Sequence, residues 1–232
     1  MNILAVDTSA NTAAVSVVAD QKLLAEEIVN YKKTHSETIM PMIDAALKNC
    51  GLDISDIDIF AVANGPGSFT GLRIGVSTVK GIAHALDKPI VELSTLEGMA
   101  YNLFMCPDII CPIMDARRQQ VYNGVYTWEE GEFLTLTQPR ALSIEECVED
   151  VKKYKKRVIF LGDGVPVHME YIKEQLGDMA VFAPASSNAQ RASSLASLAA
   201  ERLDSKKSCY EVTPFYLRKP QAEREREERS KK

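Results

Sequence analysis

"ILAVDTSANTAAVSVV", residues 3–18, decides how the rest of the chain folds. Ile3-Leu4-Ala5-Val6 is a short apolar run that stops at Asp7, as a buried strand does, and Ala13 to Val18 supplies a second strand beyond a polar turn. Leu23 to Val29 reads as a third strand, reached through the turn around Asp20-Gln21. Outward from this meander, Thr34-His35-Ser36-Glu37 fits a capping box and predicts a helix start. Ile39, Met42, Ile43, Ala46, Leu47 and Cys50 follow at helical spacing, and Gly51 stands where a left-handed terminal residue belongs. Pro41 interrupts the pattern at a cost of about 3 kcal/mol in a helix interior, which predicts a kink or a late start. A strand over 57–63, a helix over 70–86, a strand over 89–93 and a helix over 95–103 come next.

The order then begins again. "IICPIMDARRQQVYNGVY", residues 109–126, holds an apolar run ending at Asp115 as the first ended at Asp7, followed by a second strand. Residues 133–137 give a third strand, and helices over 143–153, 165–176 and 189–203 alternate with strands over 157–161 and near Val181-Phe182. The repeat of element order, with little residue identity, predicts two related lobes with a cleft between them: 1–103 and 104–232. "PQAEREREERSKK", residues 220–232, carries too many charges and too few apolar side chains for a core, and reads as a solvated helix extension or frayed tail.

A chain of 232 residues with 46% hydrophobic content can bury a sizeable core, and its opening residues enter a strand without a basic segment or long apolar run. These features predict a cytoplasmic protein with no membrane segment. The five cysteines, an odd number without metal-knuckle spacing, read as reduced thiols. A net charge of -5 argues against autonomous nucleic-acid binding, since phosphate contacts need a clustered basic face.

"NGPGSFTGLRIG", residues 64–75, lacks both the Lys-Ser/Thr of a phosphate-binding loop and the dinucleotide spacing. Gly71 and Gly75, then Gly81 and Ala85, set small residues four apart on a helix. Each interior glycine costs roughly 0.5 to 1 kcal/mol, so tight packing must compensate, either by a partner helix or by the chain's own sheet. The three histidines, His35, His84 and His168, are scattered over a helix start, a helix face and an expected surface position, and no Gly-x-Ser-x-Gly elbow exists.

Together "AVDTSANTAAVSV", "NGPGSFTGLRIG", "STLEGMA", "MDARRQQVYNGVY" and "PFYLRKPQAE" resemble the TsaB (YeaZ) family, in the same order and across most of the chain. The resemblance implies an α/β fold of two duplicated β-β-β-α-β-α lobes of the actin, sugar-kinase and Hsp70-like (ASKHA) superfamily. In that superfamily the first hairpin of each lobe wraps nucleotide phosphates and carboxylates hold Mg²⁺. The matching positions are Asp7, Thr8 and Ser9 in one hairpin and Asp115 in the other. The first turn lacks glycine and the second carries bulky Arg117-Arg118, so no cofactor beyond weak adenine nucleotide binding is expected. Where TsaD-like proteins carry His-Leu-Glu-Gly-His, a metal-ligating pair on one helical face, this chain has Thr95-Leu96-Glu97-Gly98-Met99.

Both imidazoles are gone, which points to a non-catalytic partner of a TsaD-type enzyme. The resemblance implies docking through the first two helices as a four-helix bundle, with Ile39, Met42, Ile43, Gly71, Ile74, Gly75 and Thr78 as candidate contacts. It also implies a TsaE-type ATPase as second partner, a homodimer when TsaD is absent, and tRNA contact only through the complex. The alternative is a small-molecule kinase or ATPase using Asp7 and Asp115.

Overall fold

The computed structural model describes residues 1–20, 22–31 and 34–218; the charged stretch 220–232 lies outside the described residues. The first half builds β1 (Asn2–Asp7), β2 (Ala13–Ala19), β3 (Lys22–Val29), α1 (His35–Cys50), β4 (Ile59–Gly65), α2 (Phe69–Leu86), β5 (Ile90–Ser94) and α3 (Thr95–Ala100). Its sheet runs β3-β2-β1-β4-β5, with β1 antiparallel to β2 (Ile3 opposite Val18) and parallel to β4 (Ile3 opposite Ile59). The second half builds β6 (Ile109–Asp115), β7 (Gln120–Glu129), β8 (Glu132–Ser143), α4 (Ile144–Lys152), β9 (Val158–Leu161), α5 (Val165–Leu176), β10 (Ala180–Phe182), α6 (Ala185–Asn188) and α7 (Ala192–Glu201). Its sheet runs β8-β7-β6-β9-β10, the same order with the same directions around the first strand. The duplication read from the sequence is therefore a duplication of sheet topology.

Strand alternation sorts the core into layers. In β1, Leu4 and Val6 face an outer cluster beneath α1 and α2, whereas Ile3 and Ala5 face a central cluster shared with the second sheet. α4 and α5 cover the outer face of the second sheet, where Cys147, Val148 and Ile172 are buried. The middle layer holds α3 and α7, packed among residues of both sheets such as Val91, Ile110 and Tyr126. Each fully buried aliphatic or aromatic side chain contributes about 1.5–3 kcal/mol.

α7 belongs to the second half of the chain yet lies against β1 and β2 of the first sheet. Its small residues Ala192, Ala196 and Ala199 permit the close approach. Glu26 on β3 fixes its first turn by pairing with Arg191 and accepting from Ser193 N and Oγ, at 2.9 and 2.6 Å. Beyond it Arg202 grips both oxygens of Glu97, at 2.9 and 3.0 Å. The sequence placed everything after residue 103 in the second lobe; the covalent and spatial divisions differ here because the last helix returns.

Local expectations also shift. Thr34 precedes α1 in extended conformation without a side-chain capping bond, so the capping box does not form; the Glu37 amide bonds the Thr34 carbonyl instead, at 3.1 Å. The helix neither starts late nor stops at Pro41, which sits on its exposed face; the carbonyl it leaves unpaired is that of exposed Glu37, within reach of water. The helix expected over 189–203 begins only at Ala192, because Asn102 Nδ2 donates to the carbonyls of Ser187 and Ala189, at 3.0 and 2.8 Å, and holds that turn open. No helix among the described residues is long and apolar enough to cross a membrane. The five cysteines are free thiols, and the buried Cys111 and Cys147 sulfurs stand 3.9 Å apart.

Candidate functional site

The carboxyl ends of β1, β4, β6 and β9 meet at the crevice between the sheets, the place where open α/β folds bind ligands. A cleft of about 520 Å³ opens there. Its first-lobe wall is Ser9 to Asn11, His35 and the start of α2 at Ser68 to Thr70; its second-lobe wall is Met114 to Arg117, Tyr122 and Asp163. Residues 215–218 form a third side.

The glycine loop shapes this cleft through contact with the β1–β2 turn. A Cβ on Gly67 would stand 2.2 Å from the Ser9 carbonyl oxygen, and one on Gly71 would stand 2.1 Å from that of Thr8. Only a residue without a side chain lets the two backbones come this close. The approach is used: Ser68 N donates to Ser9 O at 2.6 Å, and Thr8 Oγ1 donates to Gly71 O at 2.8 Å. Ser68 caps α2, accepting from the Gly71 amide at 3.3 Å.

Of the four residues matched to the phosphate hairpins, the structure brings only Ser9 and Asp115 to the cleft. Asp7 is 3% exposed and Thr8 is buried against α2. Asp7 Oδ1 accepts from Ser9 N at 2.8 Å and Ser9 Oγ at 2.6 Å, an aspartate-stabilised turn. Burial pushes the Asp7 carboxyl up to about 6, against the pull of those two bonds. An acid whose folded pKa lies above its unfolded value of 3.8 binds more protons in the native state between those limits, so stability falls as pH rises through them. Asp7→Asn keeps an acceptor for Ser9 and removes the titration. Its stability relative to the parent is expected to improve from pH 4 to pH 7, read by urea melts at several pH values; a constant difference would refute the assignment.

Asp115 lies in the second hairpin, accepting from Arg117 N at 2.8 Å, while its own amide donates to Asp163 Oδ1 at 3.1 Å. Burial, with Asp115 nearby, holds the Asp163 carboxyl above the usual range. Asp163 was missed in the sequence; the signal was Gly162-Asp163-Gly164 after β9, the counterpart of the glycine loop after β4. The wall of residues 215–218 was missed as well, although "PFYLRKPQAE" marked the stretch.

At the positions of the two absent imidazoles, Thr95 and Met99 are buried to 0% and 1% exposure. Gln190 Nε2 contacts Met99 Sδ at 3.5 Å, and Leu195 of α7 presses on Gly98, so packed protein fills this place. Among the described residues no group of three His, Cys, Asp or Glu side chains is placed to hold a metal ion. His168, expected at the surface, is buried on α5, and burial lowers its pKa. His35 bonds the Ala10 carbonyl at 2.6 Å, while His84 is exposed on α2.

The candidate partner contacts divide. Ile39, Met42 and Ile43 are 1%, 7% and 2% exposed, within the core beneath α1, so they offer nothing to a partner. Gly71 and Gly75 also face inward: a Cβ on Gly75 would meet Thr8 Oγ1 at 2.4 Å. Of the two packing explanations for these glycines, the chain's own turn is the correct one. Ile74 and Thr78 remain half-buried at the surface, and Gly81 is open, with nothing within 4 Å of a Cβ.

Comparison with known proteins bears on the same features. The family model described as "TsaD: tRNA N6-adenosine threonylcarbamoyltransferase" matches residues 22–226. The "tRNA threonylcarbamoyladenosine biosynthesis protein TsaB" of Bacillus subtilis is 35% identical, with 96% of each chain covered. The crystal structure of a Pseudomonas aeruginosa protein with similarity to peptidase YEAZ superposes with TM-score 0.79 at 25% identity, covering 94% of this chain and 99% of that one. For the fold alone, component A of (R)-2-hydroxyglutaryl-CoA dehydratase from Acidaminococcus fermentans superposes with TM-score 0.51 at 13% identity, covering 88% and 99%. With its two lobes of like sheet topology, the chain belongs to the TsaB family, among the TsaD-like proteins.

Proposed function

We propose that this chain is a non-catalytic subunit of the assembly that forms N6-threonylcarbamoyladenosine in tRNA, and that it acts by binding a TsaD-type catalytic subunit. What carries the proposal is the seat of Thr95 and Met99: at the positions of a metal-ligating pair, the chain has a hydroxyl and a thioether sealed under α7. The name of the Bacillus subtilis relative supports the pathway. The partner transfers a threonylcarbamoyl group from threonylcarbamoyl-adenylate to the adenosine 3′ of the anticodon in tRNAs reading codons that begin with A. A TsaE-type ATPase joins the assembly, tRNA is reached through the complex, and the work is cytoplasmic.

The docking surface is the outer side of the first two helices. α1 exposes Met40 and Asp44, and α2 presents Ile74, Ser77, Thr78, Gly81 and Ala85. The same surface closes an isologous homodimer when TsaD is absent. Adenine nucleotide binding at the cleft is weak, because Asp7 is withdrawn from it and only Asp115 of the matched carboxylates reaches it. The test mixes the purified chain with a TsaD-type subunit and assays tRNA modification with each alone and with both. Co-elution, with modification only when the TsaD-type subunit is present, is the expected result. Turnover of threonylcarbamoyl-adenylate or Mg-ATP by this chain alone would overturn the proposal.

A further inference from the structure

Residues 207–218 follow one path from the edge of the first sheet to the second lobe. Lys207 and Ile90 exchange backbone bonds of 2.8 and 2.9 Å, and Lys207 pairs with Glu92. The segment then runs back along α2 from its C-terminal to its N-terminal end. Cys209 Sγ and Tyr210 Oη lie 3.7 and 3.3 Å from His84 Nδ1. Lys80 Nζ donates to Val212 O at 2.7 Å. Arg73 Nε donates to Tyr216 Oη at 3.1 Å, and the Tyr216 ring lies 4.7 Å from that of Phe69.

Phe69, Arg73, Lys80 and His84 project within about 60° of one another at 3.6 residues per turn, so a single helical face holds the whole segment. Near its end Phe215 N donates to Asn64 O at 2.7 Å, and the Phe215 carbonyl crosses Gly65 where a Cβ would meet it at 2.2 Å. Arg218 Nη1 then reaches the second lobe, donating to Ala116 O at 2.7 Å in the hairpin that carries Asp115.

We propose that residues 207–218 form an interlobe latch: seated on α2, they set how far the cleft opens, with Arg218 as the catch on the second lobe. Behind the cleft the two sheets share the central core, while across its mouth this segment supplies one of the three sides. A guanidinium bonded to a part-buried carbonyl is a charge-assisted contact, stronger than an ordinary one. α2 would therefore sense both the cleft, through the latch, and a partner, through its adjacent outer side. The latch is a property of the isolated chain and does not depend on the proposed partnership.

Hydrogen exchange on the full chain, read by mass spectrometry, tests it without a partner. Arg218→Ala is expected to speed exchange about tenfold both in peptides covering 207–218 and in the hairpin 115–120, because a lost charge-assisted bond shifts local opening by that order. β1 should not change, and Arg218→Lys should recover part of the protection. Lys80→Met, which frees the middle of the segment at Val212, should show the same paired signature should Arg218→Ala prove unstable. Faster exchange in 207–218 with an unaltered hairpin in either variant would mean an appendage of the first lobe and overturn the latch. Unchanged exchange in both places would overturn it too.

Discussion

Gly71→Val is expected to lower stability by about 3 kcal/mol or more, a loss of about 6 to 12 °C in melting temperature for a domain of this size. The added Cβ would lie 2.1 Å from the Thr8 carbonyl oxygen, and its obstacle is backbone rather than the end of a flexible side chain. Relief requires the start of α2 to move off the β1–β2 turn. That movement breaks the Thr8 Oγ1 to Gly71 O bond and the Ser68 to Ser9 bond, and opens the first-lobe wall of the cleft. Because Thr8 is buried, a hydroxyl left without its acceptor adds a desolvation penalty of about 1–3 kcal/mol. Circular-dichroism melts of the purified variant measure the effect. A melting temperature within a degree or two of the parent would show that the turn gives way freely, and would undo the account of why glycine stands there.

Gly81→Arg should do the opposite. Position 81 has open space around a Cβ and lies in the middle of α2, so replacing glycine by a good helix former is expected to stabilise the isolated chain by about 0.5–1 kcal/mol. On the proposed outer surface, however, a guanidinium would replace a residue that adds no bulk or charge, and would have to be desolvated against the partner. The expected weakening of binding to a TsaD-type subunit is at least about 100-fold, the scale of a charge left unpaired at the centre of an interface. Titration calorimetry with the TsaD-type subunit checks the binding, and a melt checks the fold. Retained affinity would move the partner surface away from α2, while unfolding would mean that Gly81 serves an internal contact. Small residues four apart on one helix thus predict opposite phenotypes, which the spacing alone could not separate.

That difference marks what the sequence could hold. Apolar runs ending at Asp7 and Asp115, followed by hairpins and then by helices of 3.6-residue period, specified two lobes of like topology, because strand and helix periods are local properties. The loss of two imidazoles at Thr95 and Met99 was also legible, since residue identity alone removes a ligand. Periodicity marks an apolar face but not what covers it, so Ile39, Met42 and Ile43 read equally as core and as contact surface. Residues 8 and 71 meet across 63 positions, and the segment 207–218 returns to a helix more than 120 positions earlier. Such approaches are set by the path of the folded backbone. Only the tertiary structure therefore withdrew Asp7 from the cleft, brought Asp163 into it, and turned two glycines inward while leaving a third open to solvent.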